Sequence, residues 1–96
     1  MKTREEVIAL LTKAKPELEQ KYMLKTMALF GSYARNEQND DSDVDILVEV
    51  DPAIGLNFVS LADKIEALLE LPTEIVSRRA IKPRAYKYIE QDLLYV

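Results

Sequence analysis

Two aspartates stand two positions apart in the most regular strand pattern of the sequence. Asp43 and Asp45 begin residues 43 to 50, where side chains alternate between two faces as they do in a half-buried strand. Both carboxylates therefore project from one face, and like charges about 4 Å apart repel by about 4 kcal/mol at an effective dielectric constant of about 20. Such a pair needs a cation or a raised pKa.

A third acid, Glu74, lies in a short predicted strand at residues 73 to 77. Oxygen ligands favour Mg²⁺, Mn²⁺ or Ca²⁺, and Mg²⁺ often combines one or two carboxylates with substrate phosphates. Two such ions form a clamp for in-line displacement at phosphorus, one activating the attacking oxygen and the other holding the triphosphate. We therefore expect Asp43, Asp45 and Glu74 to be catalytic residues that hold two Mg²⁺ ions.

A Gly-Ser pair follows the short apolar run at residues 24 to 30. Gly31 would let the backbone approach a phosphate, and the Ser32 hydroxyl with the amides after it would bind phosphate oxygens at a helix N-terminus. Arg35, one turn on, would neutralise charge. Taken singly, the Gly-Ser pair is typical of a turn and Arg35 of a surface ion pair. The acids, taken singly, are typical of a solvated strand edge. Their combination favours a nucleotide-binding site.

Periodicity and turn residues predict the elements that carry these groups. Thr3 and Glu6 form a capping box for a first helix, which is expected to stop near Pro16. Ser32 is expected to be the N-cap of one short helical turn. The other predicted elements are a strand at 24 to 30, the turn at 32 to 38, a strand at 43 to 50, a helix from Phe58 to Pro72, a strand at 73 to 77, a helix opened by Pro83 and an edge strand at 93 to 96.

The connections predict how these strands pair. A right-handed crossover through the long helix makes the strand at 43 to 50 parallel to the strand at 73 to 77. If the first strand pairs antiparallel with the second, its end at Gly31 reaches the same edge of the sheet. The acids and the Gly-Ser pair then converge on one spot.

Composition and charge exclude several kinds of chemistry. The chain has no Cys and no His, which removes a thiolate nucleophile, an imidazole base and the usual zinc ligands. Its 17 acidic and 13 basic residues give a net charge of -4, which disfavours indiscriminate binding to nucleic acid. No signal peptide or membrane-length apolar run is present, so we expect a cytoplasmic location and no membrane association.

The site residues also carry a resemblance. Gly31-Ser32, the ten residues 33 to 42, and then Asp43-Val44-Asp45 resemble the signature of the DNA polymerase beta-like nucleotidyltransferase superfamily. The runs at 30 to 35 and 42 to 49 are similar to the minimal nucleotidyltransferases, or MNT proteins. The resemblance implies one α/β nucleotidyltransferase domain over residues 1–96, with a small mixed β-sheet and helices mainly on one face.

What the family implies for the site matches the candidates above, with two departures. Ser32, Asp43 and Asp45 would bind the nucleoside triphosphate and the metals, and Glu74 would be the third acid. The family usually has Gly where this chain has Asn36, and Asn tolerates the same left-handed backbone. The family usually has Asp where this chain has Glu74, and the extra methylene moves the carboxylate that would position or deprotonate the acceptor.

MNT proteins commonly pair with a HEPN protein, a helical ribonuclease toxin. The resemblance therefore implies an MntA-type antitoxin that transfers AMP from ATP to a tyrosine hydroxyl of that partner. A second interpretation is a weak or inactive binding module that neutralises its partner by contact; Glu74 and Asn36 favour it, whereas intact Asp43 and Asp45 oppose it. A third is nucleotide addition to RNA, indicated only by the basic run at 78 to 87, which is more typical of a solvated helix face.

Overall fold

Four helices alternate with four strands in residues 2–96, the part of the chain that the computed structural model describes. The helices are α1 (Arg4–Tyr22), α2 (Gly31–Ala34), α3 (Asn57–Leu69) and α4 (Pro83–Glu90). The strands are β1 (Leu24–Phe30), β2 (Val44–Val50), β3 (Thr73–Ser77) and β4 (Leu94–Tyr95). Short 3₁₀ turns at Pro52–Ile54 and Arg78–Ala80 precede α3 and α4.

The strands form one mixed sheet in the order β3-β2-β1-β4. Strand β2 is parallel to β3 and antiparallel to β1, and β4 is antiparallel to β1 at the other edge. Helix α3 makes the crossover that the parallel pair requires. Both predicted strand pairings are confirmed, and the edge strand is Leu94–Tyr95 rather than residues 93 to 96.

One face of the sheet carries the core. Alternate residues of β2 are buried on this face together with apolar stripes of α1 and α3, whose members recur at helical spacing. The stripes consist of Val7, Leu11 and Leu18 in α1 and of Leu61, Ile65 and Leu69 in α3. The opposite face bears Asp45, Leu47 and Glu49 of β2. The predicted α/β class, with helices mainly on one face of a small mixed sheet, is confirmed.

Helix α1 begins as the sequence predicts and ends later. Thr3 accepts a hydrogen bond from the Glu6 amide at 3.1 Å, and the Glu6 carboxylate accepts one from the Thr3 amide at 3.0 Å, which completes the capping box. The expected end near Pro16 is wrong, because the helix continues through Pro16 to Tyr22. A proline inside a helix costs about 3 kcal/mol, and burial of Leu18 in the core recovers about 1.5–3 kcal/mol of that loss.

The predicted helical turn at 32 to 38 is also wrong in its bounds. Helix α2 is Gly31–Ala34, and its N-cap is Phe30, so Ser32 lies inside the helix and makes no cap. The helix stops because Asn36 takes a left-handed φ of 60°. The Asn36 amide then donates to the Tyr33 carbonyl at 3.1 Å and the Glu37 amide to the Ser32 carbonyl at 2.8 Å, which is the pairing of a Schellman C-cap.

Helix α3 ends before the proline that was expected to stop it. Its last residue is Leu69, and Glu70 adopts a left-handed φ of 55°, two residues ahead of Pro72. The Pro72 carbonyl instead accepts a hydrogen bond from the Val44 amide at 2.9 Å, at the point where β2 and β3 begin side by side. Within residues 2–96, no helix combines the length and the apolar character needed to cross a membrane.

Candidate active site

Asp45 occupies the centre of the candidate site. In the sheet register it lies opposite Phe30 of β1 on one side and Glu74 of β3 on the other. Asp43 stands just before the first residue of β2 and is exposed, as is Glu74, whereas Asp45 is half-buried. The three acids were predicted to lie near the starts of neighbouring strands, and the structure brings them there.

The crowding of these carboxylates changes the acidity of the central one. Burial first, and then the negative charges of Glu74 and Asp43, raise the pKa of Asp45 from 3.8 to about 6. A hydrogen bond with the Glu74 carboxyl contributes to the same rise, and the positive charge of Arg35 opposes it. A bound cation would relieve the repulsion that the raised pKa reports.

None of the three acids forms a salt bridge with another described residue. The salt bridges in residues 2–96 join Arg4 to Glu5, Lys21 to Glu17, and Arg35 to Glu37 and Asp92.

Residues 2–96 also contain no group of three acidic side chains placed closely enough to bind a metal ion without other ligands. Mg²⁺ rarely uses such all-protein cages and is usually bound by one or two carboxylates together with substrate phosphates. The carboxylate oxygens of Asp43, Asp45 and Glu74, with the raised pKa of Asp45, fit that kind of shared site.

Gly31 lies directly against the Asp45 carboxylate. Its φ is +73°, a conformation that side-chain-bearing residues rarely adopt, and a Cβ placed there would overlap Oδ2 of Asp45 and lie 3.2 Å from its Cγ. Sequence reasoning assigned Gly31 to the approach of a phosphate. The structure adds a requirement that the sequence did not indicate, which is room for the side chain of Asp45.

Ser32 follows Gly31 in α2, which packs against β1 and β2. The residue is half-buried, and its side chain makes no capping hydrogen bond. Its hydroxyl is therefore not committed to stabilising the helix start, as an N-cap hydroxyl would be.

Arg35 is held by two carboxylates. Its Nε donates to Oε1 of Glu37 at 2.8 Å, and one terminal nitrogen donates to Oδ2 of Asp92 at 2.6 Å. Hydrogen bonds first to Glu37 and then to Asp92 raise the pKa of the guanidinium. Sequence reasoning missed both partners, and the separation of 57 positions along the chain left no local signal for the pair of Arg35 and Asp92.

The basic run at 78 to 87 follows β3 and continues into α4. Its first residue, Arg78, directly follows β3 and stacks over the ring of Tyr86 in α4, with the guanidinium carbon 3.7 Å from the ring centroid. The remaining basic residues of the run are exposed. They are Arg79, Lys82, Arg84 and Lys87.

A mixed four-stranded sheet with a Gly-Ser turn against paired acids defines a small nucleotidyl-transfer domain. Residues 11–96 match the family model described as nucleotidyltransferase domain. The chain belongs to this family and within it to the minimal nucleotidyltransferases, and it is an enzyme of the nucleotidyltransferase class.

Full-length relatives and solved structures agree with this placement. A Methanocaldococcus jannaschii protein provisionally named a protein adenylyltransferase is 47% identical over 98 residues, covering 100% of both chains. The protein adenylyltransferase MntA of Thermococcus cleftensis is 38% identical, with 100% of this chain and 98% of the relative covered. A solved structure provisionally described as a minimal nucleotidyltransferase matches with a TM-score of 0.80 at 29% identity, over 97% of this chain and 95% of the other.

Proposed function

We propose that this protein uses Mg²⁺ to transfer AMP from ATP to a tyrosine hydroxyl of a HEPN-type toxin, and that it acts as the antitoxin. The observation that carries the proposed reaction is the alignment of Asp45 with Glu74 on neighbouring strands, with Gly31 packed against the Asp45 carboxylate. ATP as the substrate and Mg²⁺ as the cofactor fit the expected cytoplasmic location.

In the proposed reaction the acceptor hydroxyl oxygen forms a bond to the α-phosphorus of ATP. The bond from that phosphorus to the oxygen bridging to the β-phosphorus breaks, and pyrophosphate leaves. The hydroxyl proton passes to the carboxylate of Glu74, whose exposed position allows it to meet an acceptor on another molecule.

Each candidate residue has a role in this scheme. Asp43, Asp45 and Glu74 would hold two Mg²⁺ ions, which when bound would neutralise the triphosphate and lower the pKa of the acceptor hydroxyl. Gly31 would let the backbone approach a phosphate, and the hydroxyl of Ser32 would donate to a phosphate oxygen.

The names of relatives support a protein acceptor and an adenylyl group. The relatives named protein adenylyltransferases match over their whole length, so their named activity resides in a chain of this size. A solved toxin-antitoxin with AMP-PNP shares the fold, with a TM-score of 0.63 at 24% identity, over 96% of this chain and 70% of the other.

The test is the intact mass of both chains after incubation with Mg²⁺, ATP and a HEPN-type protein that co-purifies with this one or is encoded by a neighbouring gene. We expect the partner to gain one or more AMP units, the gain to disappear with Asp43→Asn, and the gain to persist with Asp41→Asn. Asp41 is a matched control because it is an exposed aspartate in the turn just before Asp43. Addition of a chelator should also prevent the gain.

Two other outcomes would replace the proposal. A tight complex without an adduct from any nucleoside triphosphate would indicate a binding module that acts by contact. Nucleotides added to RNA but not to the partner protein would indicate an RNA-modifying enzyme. Nucleic acid is the less favoured acceptor, because the net charge is -4 and Arg78 is engaged with the ring of Tyr86.

A further inference from the structure

The bridge between Arg35 and Asp92 joins the candidate site to the far end of the chain. We propose that Asp92 is a positioning residue for nucleotide binding. With Glu37, it holds the guanidinium of Arg35 at the edge of the site, in a position to bind the triphosphate. The inference rests on the proposed function, because it assigns a role in binding the same substrate. The two bonds that carry it are 2.6 Å to Asp92 and 2.8 Å to Glu37.

The fold fixes the position of Asp92. Its amide donates to the Ile89 carbonyl at 3.0 Å, so the residue is held in the turn that follows α4. Strand β4 begins two residues later and pairs with β1, the strand that delivers Gly31 to the site. The Asp92 side chain is 23% exposed, against 45% for Arg35, so the carboxylate is the more buried of the two groups.

The chemistry of the guanidinium leaves it able to bind a phosphate while it is held. An arginine has five N–H donors in a planar fork. The contacts with Glu37 and Asp92 use two of them, so three remain for phosphate oxygens. The positive charge of Arg35 acts on Asp45, where it lowers the pKa of that carboxyl, so the guanidinium lies within electrostatic reach of the acids.

A fixed guanidinium would bind a triphosphate more tightly than a mobile one, since less side-chain freedom is lost on binding. We expect Asp92→Ala to weaken binding of a Mg²⁺ complex of a non-hydrolysable ATP analogue by about two- to fivefold, the range typical of partly exposed ion pairs. The KM for ATP should rise by the same factor, with kcat changed by less than about twofold, because the contact is made in the ground state and the transition state alike.

Three variants separate positioning from a purely structural role. Glu90→Ala removes an exposed carboxylate from the end of α4 that does not contact Arg35, and it should bind the analogue as the wild type does. Asp92→Glu keeps the carboxylate and should recover at least part of the lost affinity. In an Arg35→Gln background, Asp92→Ala should have no further effect on the dissociation constant, because the group that it positions is gone.

The experiment is a calorimetric titration of each variant with the Mg²⁺-analogue complex, with thermal melting measured in parallel. Unchanged affinity in Asp92→Ala would overturn the inference, even if the melting temperature fell, because the bridge would then serve only the fold. Tighter binding would also overturn it, by showing that the bridge holds Arg35 away from the nucleotide. A wild-type protein that does not bind the complex would overturn both proposals, whereas one that binds without forming an adduct would contradict the proposed transfer alone.

Discussion

The carboxylate of Asp45 occupies the position at which a side chain on Gly31 would begin. This contact ties the turn after β1 to the strand that bears the acids, and it explains why a glycine precedes Ser32. Because Asp45 is also aligned with Glu74, one side chain connects the three strands that build the candidate site.

Replacing Gly31 with alanine should disturb both stability and activity. Gly31→Ala forces a Cβ into the Asp45 carboxylate at a positive φ, and we expect a loss of about 1–3 kcal/mol in the free energy of unfolding. Nucleotidyl transfer should be lost with it, because Asp45 must move. Urea unfolding and the transfer assay measure the two effects.

Gly55→Ala is the matched control, since Gly55 also has a positive φ but the nearest atom to its Cβ lies 3.9 Å away. In an Asp45→Ala background the cost of Gly31→Ala should fall, whereas the cost of Gly55→Ala should not change. Equal costs of Gly31→Ala in the two backgrounds would mean that the contact with Asp45 does not matter.

The raised pKa of Asp45 makes stability depend on pH in a definite direction. The proton that Asp45 holds stabilises the folded state below the unfolded pKa of 3.8, and this contribution is lost as the pH rises through about 6. Without divalent cations, Asp45→Asn should therefore melt at a higher temperature than the wild type above pH 6, and the difference should shrink as the pH approaches 3.8.

Asp41→Asn should follow the wild type across the same pH range. Mg²⁺ should raise the melting temperature of the wild type above pH 6 more than that of Asp45→Asn, because the variant lacks a proposed ligand. An Asp45→Asn protein that is less stable than the wild type at pH 7 would show that the ionised carboxylate of Asp45 does not destabilise the fold.

Glu74 stands where the resemblance implies an aspartate, and its proposed role can be tested by removing its charge and by shortening its side chain. Glu74→Gln should lower kcat by about 100- to 10,000-fold, the range expected when a group that accepts a proton is removed. Glu74→Asp should still transfer AMP, since the carboxylate is kept. Glu70→Gln, at an exposed acid after α3, should leave kcat unchanged; full activity in Glu74→Gln would remove this residue from the mechanism.

Pro16 offers a test of the fold that is independent of function. It is exposed within α1 and lacks the amide that would bond to the Thr12 carbonyl. Pro16→Ala should raise the free energy of unfolding by about 1–2 kcal/mol, after allowance for the greater freedom of the unfolded chain. Gln20→Ala, at an exposed position one turn on, should change it by much less, and a destabilised Pro16→Ala protein would contradict this account.

Local patterns were sufficient to predict the strands and the positions of the acids on them. The alternation in β2 and the turn residues around it predicted the strand nearly to its ends, and the crossover rule then placed Glu74 beside Asp45. Asn36 was expected to tolerate a left-handed backbone, and its φ of 60° confirms that expectation.

The parts that were missed depend on tertiary contacts. Helix α1 continues through Pro16 because Leu18 is buried in the core, and a propensity argument does not include that burial. Helix α2 begins one residue earlier than predicted, at Gly31, whose contact with the Asp45 carboxylate is a tertiary feature. The partner of Arg35 was invisible in the sequence, since only the pairing of β4 with β1 brings Asp92 near it.

The most direct test of the central claim is to follow the two ends of the triphosphate separately. ATP labelled at the α-phosphate and ATP labelled at the γ-phosphate would each be incubated with Mg²⁺, the protein and the proposed HEPN partner. We expect only the α-label to become attached to the partner, the γ-label to be released as pyrophosphate, and both events to stop with Asp43→Asn. Attachment of the γ-label, or attachment of the α-label that persists without Asp43, would contradict nucleotidyl transfer at this site.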